Sequence, residues 1–384
     1  MRTGLSRLLA AFLSTAVLGT VVVGLWTREQ AEIDWSSRVN ACLPQEQGGS
    51  EAVTKCIQTV ALAAADRGEL RLAANALTSA AAEDNVFYGI CHLALHGLGT
   101  RLLEKYGSVA AALPHVNTID CGNGLAHGVF DEWATGNLEL DDFREVVDVC
   151  EQVESATPGG CAEGIGHAAY QHLPAGPDRL SGAFPFCEMF SEGYVAQHCA
   201  YGVVMQPYFK QNDELIDEAA LPIPLDGELV RMCEQLQRRS DVVRGCLSGA
   251  GWLMGLSTLL RLDRSGLDEQ RRFELVSSEQ FADGVSRLVS HCAQARATDL
   301  DRGECASQLL ARLPVEWYQD LEILAQRCEA LGRSYGDTTR VSCLAGAYEF
   351  VSPANLELIT DRYPEVRDAV RQRHLRERGV EPSR

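Results

Sequence analysis

Imidazoles gather in one stretch of this chain. Six of the nine histidines lie between residues 92 and 172: His92, His96, His115, His127, His167 and His172. His92 and His96 are four residues apart, and so are His127 and Asp131, and Glu163 and His167. Residues at i and i+4 share one face of a helix, so three helices would each present an imidazole, two of them with a carboxylate one turn away. Imidazole and carboxylate together suit a transition metal such as zinc, copper or iron. A carboxylate that does not ligate can still orient a histidine that does. The expected metal ligands are His92, His96, His127 and His167, with Asp131 and Glu163 as the accompanying carboxylates. His115 and His172, beside Pro114 and Pro174, read as surface loop residues. If the ion kept one position open, water or dioxygen would go there, for hydrolysis or oxidation.

A plainer account competes with this one. A histidine next to glycine can pack in a tight helix crossing and donate to a backbone carbonyl, with no metal. Six residues after the second cysteine of later pairs stand Met205, Trp252, Ala311 and Glu349, so that position is a packing site that histidine only sometimes fills. Packing alone does not explain why the histidines concentrate in three consecutive segments. Other chemistries lack their signatures: no G-x-S-x-G, P-loop or H-E-x-x-H occurs. A catalytic thiol would need an unpaired cysteine, and Cys91, next to His92, is the one candidate.

The elements that must position these residues are written in the cysteines. Twelve of the fourteen fall into successive pairs: Cys42 and Cys56, Cys150 and Cys161, Cys187 and Cys199, Cys233 and Cys246, Cys292 and Cys305, Cys328 and Cys343. Separations run from 11 to 15 residues. First members tend to read Cys-Glu ("VCEQV", "FCEMF", "MCEQL", "RCEAL"). Second members tend to open Cys-x2-Gly, with Gly164, Gly202, Gly249 and Gly346, and Gly124 follows Cys121 in the same way. Cys56 and Cys305 depart from this, with Thr59 and Gln308 at the glycine position. Polar loops lie between the members ("QVESATPGG", "QLQRRSDVVRG"). The pattern predicts helical hairpins, each clipped by a disulfide from the end of one helix to the start of the next, and glycine lets the backbones approach closely. A clip over so short a loop is worth about 3 kcal/mol in the chain-entropy account. Strand-like alternation is scarce, whereas Ala, Leu, Glu and Arg are abundant. Cys91 and Cys121 remain, on either side of "RLLEKYGSVAAAL", which reads as one helix; a bond between the two is one pairing, but connectivity does not follow from spacing. Ahead of them, "EAVTKCIQTVALAAADRGELRLAANALTSAAAED" predicts two alanine-rich helices.

Charge and cysteines set the address. The net charge of −19 gives no basic footprint, which argues against nucleic acid as a partner. Arg2 and Arg7 precede Leu8 to Trp26, an uncharged run that as a helix would reach about 28 Å, enough to cross a bilayer core. Basic residues on its near side place the bulk of the chain outside the cytoplasm. The run is a signal anchor, or a cleaved signal peptide in a secreted form; its length and the lack of an A-x-A site favour the anchor. An even number of cysteines on an oxidising side reads as disulfides, and the absence of C-x2-C pairs speaks against structural zinc on sulfur.

Residues 88–210, through "CHLALHGLG", "CGNGLAHGVFDEW", "CAEGIGHAAY" and "CAYGVVMQPYF", resemble an uncharacterised family of exported bacterial Cys/His-rich helical proteins. Its motifs run approximately C-H-x3-H, C-x-H-G-V-x-E and G-I-G-H-G. This chain has Ala168 where that family often has glycine, and Asp131 where glutamate is usual. The architecture is similar to disulfide-clipped Sel1-like repeats, with longer spacing between cysteines. Neither resemblance implies an activity.

The expected fold is therefore all-α: an α-solenoid-like array of helical hairpins clipped by disulfides, behind one transmembrane helix. The expected organisation is a cytoplasmic N-terminus at 1–7, an anchor at 8–26 and a linker at 27–40. A repeat domain at 41–350 follows, with its histidine-rich part at 88–210, and a helical tail at 351–384. Two functions follow: a membrane-anchored metal-binding protein, or a metal-free scaffold that presents a concave surface to a protein partner.

Overall fold

The structure is a computed structural model. It describes residues 34–42, 50–116 except 84, 123–208 except 137, 153–157 and 177, 227–264, 279–311 except 297, and 328–347 except 331 and 335. Among the described residues there is no strand. The helices are α1 (Trp35–Asn40), α2 (Ser50–Arg67), α3 (Leu70–Glu83), α4 (Asn85–Tyr106), α5 (Val109–Ala112), α6 (Gly124–Trp133), α7 (Leu140–Gln152) and α8 (Pro158–His172). There follow α9 (Arg179–Cys187), α10 (Gly193–Met205), α11 (Gly227–Gln235), α12 (Ser240–Arg264), α13 (Glu279–Gln294), α14 (Asp299–Ala311) and α15 (Asp337–Ala347). Two short 3-10 turns, Leu113–His115 and Gln206–Tyr208, follow α5 and α10.

Two kinds of helix are built from two kinds of sequence. α7 is amphipathic: Phe143, Val146, Val147 and Cys150 are buried at helical spacing, and Asp141 and Asp142 occupy its first turn, where the helix dipole favours negative charge. α6 is apolar nearly all round, with every residue from Gly124 to Phe130 buried. A helix apolar on all sides must be enclosed by others. Accordingly α4, α6, α8, α10, α12, α14 and α15 pack on one another in succession, while α7, α9, α11 and α13 each lie beside the helix that follows.

The disulfides join these two kinds. Cys150–Cys161, Cys187–Cys199, Cys233–Cys246 and Cys292–Cys305 tie α7 to α8, α9 to α10, α11 to α12, and α13 to α14; Cys42–Cys56 and Cys328–Cys343 are also formed. Cα separations of 5.3–5.8 Å lie within the usual range. In the four hairpins from α7 to α14 the first cysteine sits in the closing turn of its helix, and the second lies one to two turns into the next. Cys91 is also disulfide-bonded, while Cys121 lies outside the described residues.

Glycine sets how closely the enclosed helices approach. A Cβ on Gly128 of α6 would run into the carbonyl oxygen of His96 on α4, and one on Gly99 of α4 into that of Leu125 on α6. Gly166 of α8 meets the Cys199 carbonyl, and Gly202 of α10 meets that of Glu163.

Two local expectations change. "RLLEKYGSVAAAL" is not one helix: α4 ends at Tyr106, and Gly107 turns the chain at φ +76°, a conformation that favours glycine. Within the stretch read as a linker, 27–40, residues Trp35–Asn40 form the packed helix α1. Asp34 caps it, Trp35 and Val39 are buried one turn apart, and the Trp35 Nε1–H donates to Glu69 Oε2 at 2.9 Å. No helix among the described residues is long and apolar enough to cross a membrane. The expected anchor at 8–26 and the tail at 351–384 lie outside those residues.

Candidate metal centre

Three successive enclosed helices carry the expected residues. α4 supplies His92 and His96, α6 supplies His127 and Asp131, and α8 supplies Glu163 and His167. The α4–α6 crossing occurs at those residues, with Gly124 against the His92 carbonyl and Gly128 against that of His96; between α6 and α8, Gly164 lies against the Phe130 ring, and Gly202 of α10 lies against the Glu163 carbonyl. The glycines of the crossings and the histidines at the site thus belong to one packing arrangement.

The imidazoles form a cluster centred on His127. Its ring centroid stands 5.3 Å from that of His92, 5.4 Å from His96 and 5.1 Å from His167. Two groups of donor atoms result, each with all its atoms within 4.8 Å of one another: His92, His96 and His127, and His127, Glu163 and His167. In the first, the Nε2 atoms of His92 and His96 are 3.1 Å apart. In the second, Glu163 Oε2 lies 3.5 Å from His127 Nε2, and Glu163 Oε1 lies 3.9 Å from His167 Nε2. Donors about 2.0–2.2 Å from one ion stand roughly 3–4 Å apart across tetrahedral or octahedral angles, and the His92–His96, His127–Glu163 and Glu163–His167 spacings fall in that range.

The backs of the rings are held. His96 Nδ1 is 3.0 Å from Asp131 Oδ2, which leaves its Nε2 facing His92. Gln171, one turn beyond His167 on α8, donates from Nε2 to the other Asp131 oxygen at 3.2 Å. His167 Nδ1 is hydrogen-bonded to Gln206 Oε1, from the 3-10 turn after α10. Asp131 therefore stands behind a histidine rather than within either donor group, as carboxylates do in metal sites where they fix a ring's orientation.

Burial divides the centre. His127, Glu163 and His167 are 3%, 7% and 8% exposed, while His92 and His96 are half-buried. Burial alone would raise Glu163, yet the charges of His127 and His167 hold it well below the usual carboxylate range. Burial would likewise raise Asp131, but the His96 hydrogen bond and the surrounding imidazoles bring it down to about 2. Burial would lower His167; the Glu163 carboxylate, the Asp131 charge and the Gln206 acceptor instead raise it to about 9. Both carboxylates are thus ionised in a largely buried place, an environment built for positive charge. A divalent ion there would polarise a bound water or an oxygen-containing ligand.

The sequence pattern picks out all six of these residues but neither Gln171 nor Gln206. Gln171 continues the i, i+4 series of Glu163 and His167, which is a signal that could have found it; Gln206 carries none. His115 is exposed and stacks on Tyr106. His172 is not a surface loop residue: it ends α8, half-buried, 5.4 Å from the Phe143 ring. Phe184, Phe186 and Phe190 are buried in the core. The chain matches no protein-family model, no curated protein and no solved structure.

Proposed function

We propose that this is an extracytoplasmic metal-binding protein whose ion is held between α4, α6 and α8. One observation carries the proposal. The Nε2 atoms of His127 and His167 are buried and face the two oxygens of the same buried, ionised carboxylate, Glu163, at 3.5 and 3.9 Å, beyond good hydrogen-bond length. Ion pairs at that range leave both nitrogens incompletely satisfied. Two such atoms around one carboxylate form an arrangement that an ion would satisfy at once. The donors are nitrogen and oxygen, since there is no free cysteine among the described residues; such a set suits Zn(II), Fe(II) or Cu(II). The disulfides favour an oxidising compartment.

The clipped helix pairs form a repeat array in this proposal. Its support is the recurrence of one arrangement, in which an amphipathic helix is bonded to an enclosed helix that crosses its neighbour at glycine. Elemental analysis of the oxidised protein, prepared without a histidine tag, tests the function. Stoichiometric metal that disappears in the His127→Ala, His167→Ala double variant supports it. A wild type of normal stability that holds no metal after repletion with zinc, iron and copper overturns it.

A further inference from the structure

The two donor groups are not one site seen twice. All atoms of each group lie within 4.8 Å of one another, and the two groups share His127 alone: His92 and His96 complete the first, Glu163 and His167 the second. We infer that the centre takes two metal ions side by side, with the His127 ring between them. An imidazole that releases its N–H proton to water as two ions bind can serve both, one from each ring nitrogen, so one residue can belong to both groups. The inference rests on the metal-binding proposal above and adds a second position to it.

Each position has its own donors and its own support. The outer position is formed by His92 and His96, whose Nε2 atoms are 3.1 Å apart; in the metal-free protein they share a hydrogen bond, and the same spacing suits two donors to one ion. Asp131 holds His96 from behind. The inner position is formed by Glu163 and His167, and Gln206 holds His167 from behind. Each group thus has its own support, from a different element in each case. Gln171 joins the two, since it extends from the helix of the inner pair to the carboxylate of the outer.

Charge supports double occupancy. Two adjacent divalent ions repel, and the protein places two carboxylates around them, one for each position. The positions also differ in access. His92 and His96 are half-buried, whereas the inner donors are buried. The outer ion therefore exchanges with solvent readily, and the inner ion leaves slowly.

The test is a Co(II) titration of the full-length oxidised protein without a tag, followed by visible absorption and by mass spectrometry under native conditions. The expected result is two ions per chain in the wild type, one in the His92→Ala, His96→Ala variant, and one, with a different spectrum, in the Glu163→Gln, His167→Ala variant. Excess chelator added to the doubly loaded wild type gives two phases of release of equal amplitude, a readout that needs no variant to fold. One ion per chain in the wild type, released in a single phase, overturns the two-ion inference and leaves the metal-binding proposal standing. No ion at all overturns both.

Discussion

Gly128 lies directly against the backbone carbonyl of His96, so the closest point between α4 and α6 is also where the metal centre begins. A methyl group at 128 would occupy the place of that oxygen, and neither backbone can yield without parting the two helices. Gly128→Ala is therefore expected to lower stability by about 1–3 kcal/mol, as overpacking does, and to weaken metal binding by separating His92 and His96 from His127. Gly97, next to His96 on α4, is exposed and has nothing within 4 Å of a Cβ. Gly97→Ala is the control: it should stabilise the helix by up to about 1 kcal/mol and leave metal binding intact. Thermal melts with and without Zn(II) check both outcomes.

Asp131→Asn keeps the size of the side chain behind His96 and removes its charge. The ring then loses the anion that orients it and strengthens it as a donor, and affinity at the outer position should fall about 10–100-fold. The metal-free protein should also melt lower near neutral pH, because the pairing that holds Asp131 ionised stabilises the fold there. Competition against a chromogenic chelator measures the affinity, and an unchanged value would remove Asp131 from the centre.

Gln206→Leu removes the acceptor at His167 Nδ1 without leaving a void. His167 is then free to rotate or to change tautomer, and inner-position affinity should drop about 10–100-fold, with the outer position unaffected. Equal weakening of both would mean that the substitution acts through packing.

Proton linkage gives a fourth outcome. His167 is raised to about 9 in the metal-free protein, so its contribution to stability is fully present below about 6.5, its ordinary value, and is lost as pH rises through 9. A metal must displace that proton. Between about pH 7 and 9, the ion entering the inner position should release one proton from His167, separate from the proton that His127 loses when both positions fill, and affinity at that position should climb up to tenfold per pH unit before levelling off. Calorimetry in buffers of different ionisation enthalpy counts the proton; heats that do not vary with buffer would contradict the linkage.

How much of this is legible in the sequence depends on how far apart the partners are along the chain. The i, i+4 pairs on α4, α6 and α8 survive directly into the structure, because helix geometry alone puts them on one face. The six described cysteine pairs are legible for a similar reason, since each closes a short local loop. Gln206 is not, because it reaches His167 across 39 residues and a lone glutamine leaves no periodic trace. The split into two donor groups is hidden as well: it depends on how the rings of three crossing helices are turned. His172 departs from expectation because proximity to Pro174 says nothing of Phe143, which packs on it from another helix. Helix α1 is too short to show a period, with only Trp35 and Val39 to mark its buried side.

Every disulfide whose two ends are described joins one cysteine to the next along the chain. A polypeptide that crosses a membrane N-terminus first presents its cysteines in that same order. An oxidase that couples each newly arrived thiol to the one just before it would therefore produce these bonds directly, hairpin by hairpin, with no wrong pairings for an isomerase to undo.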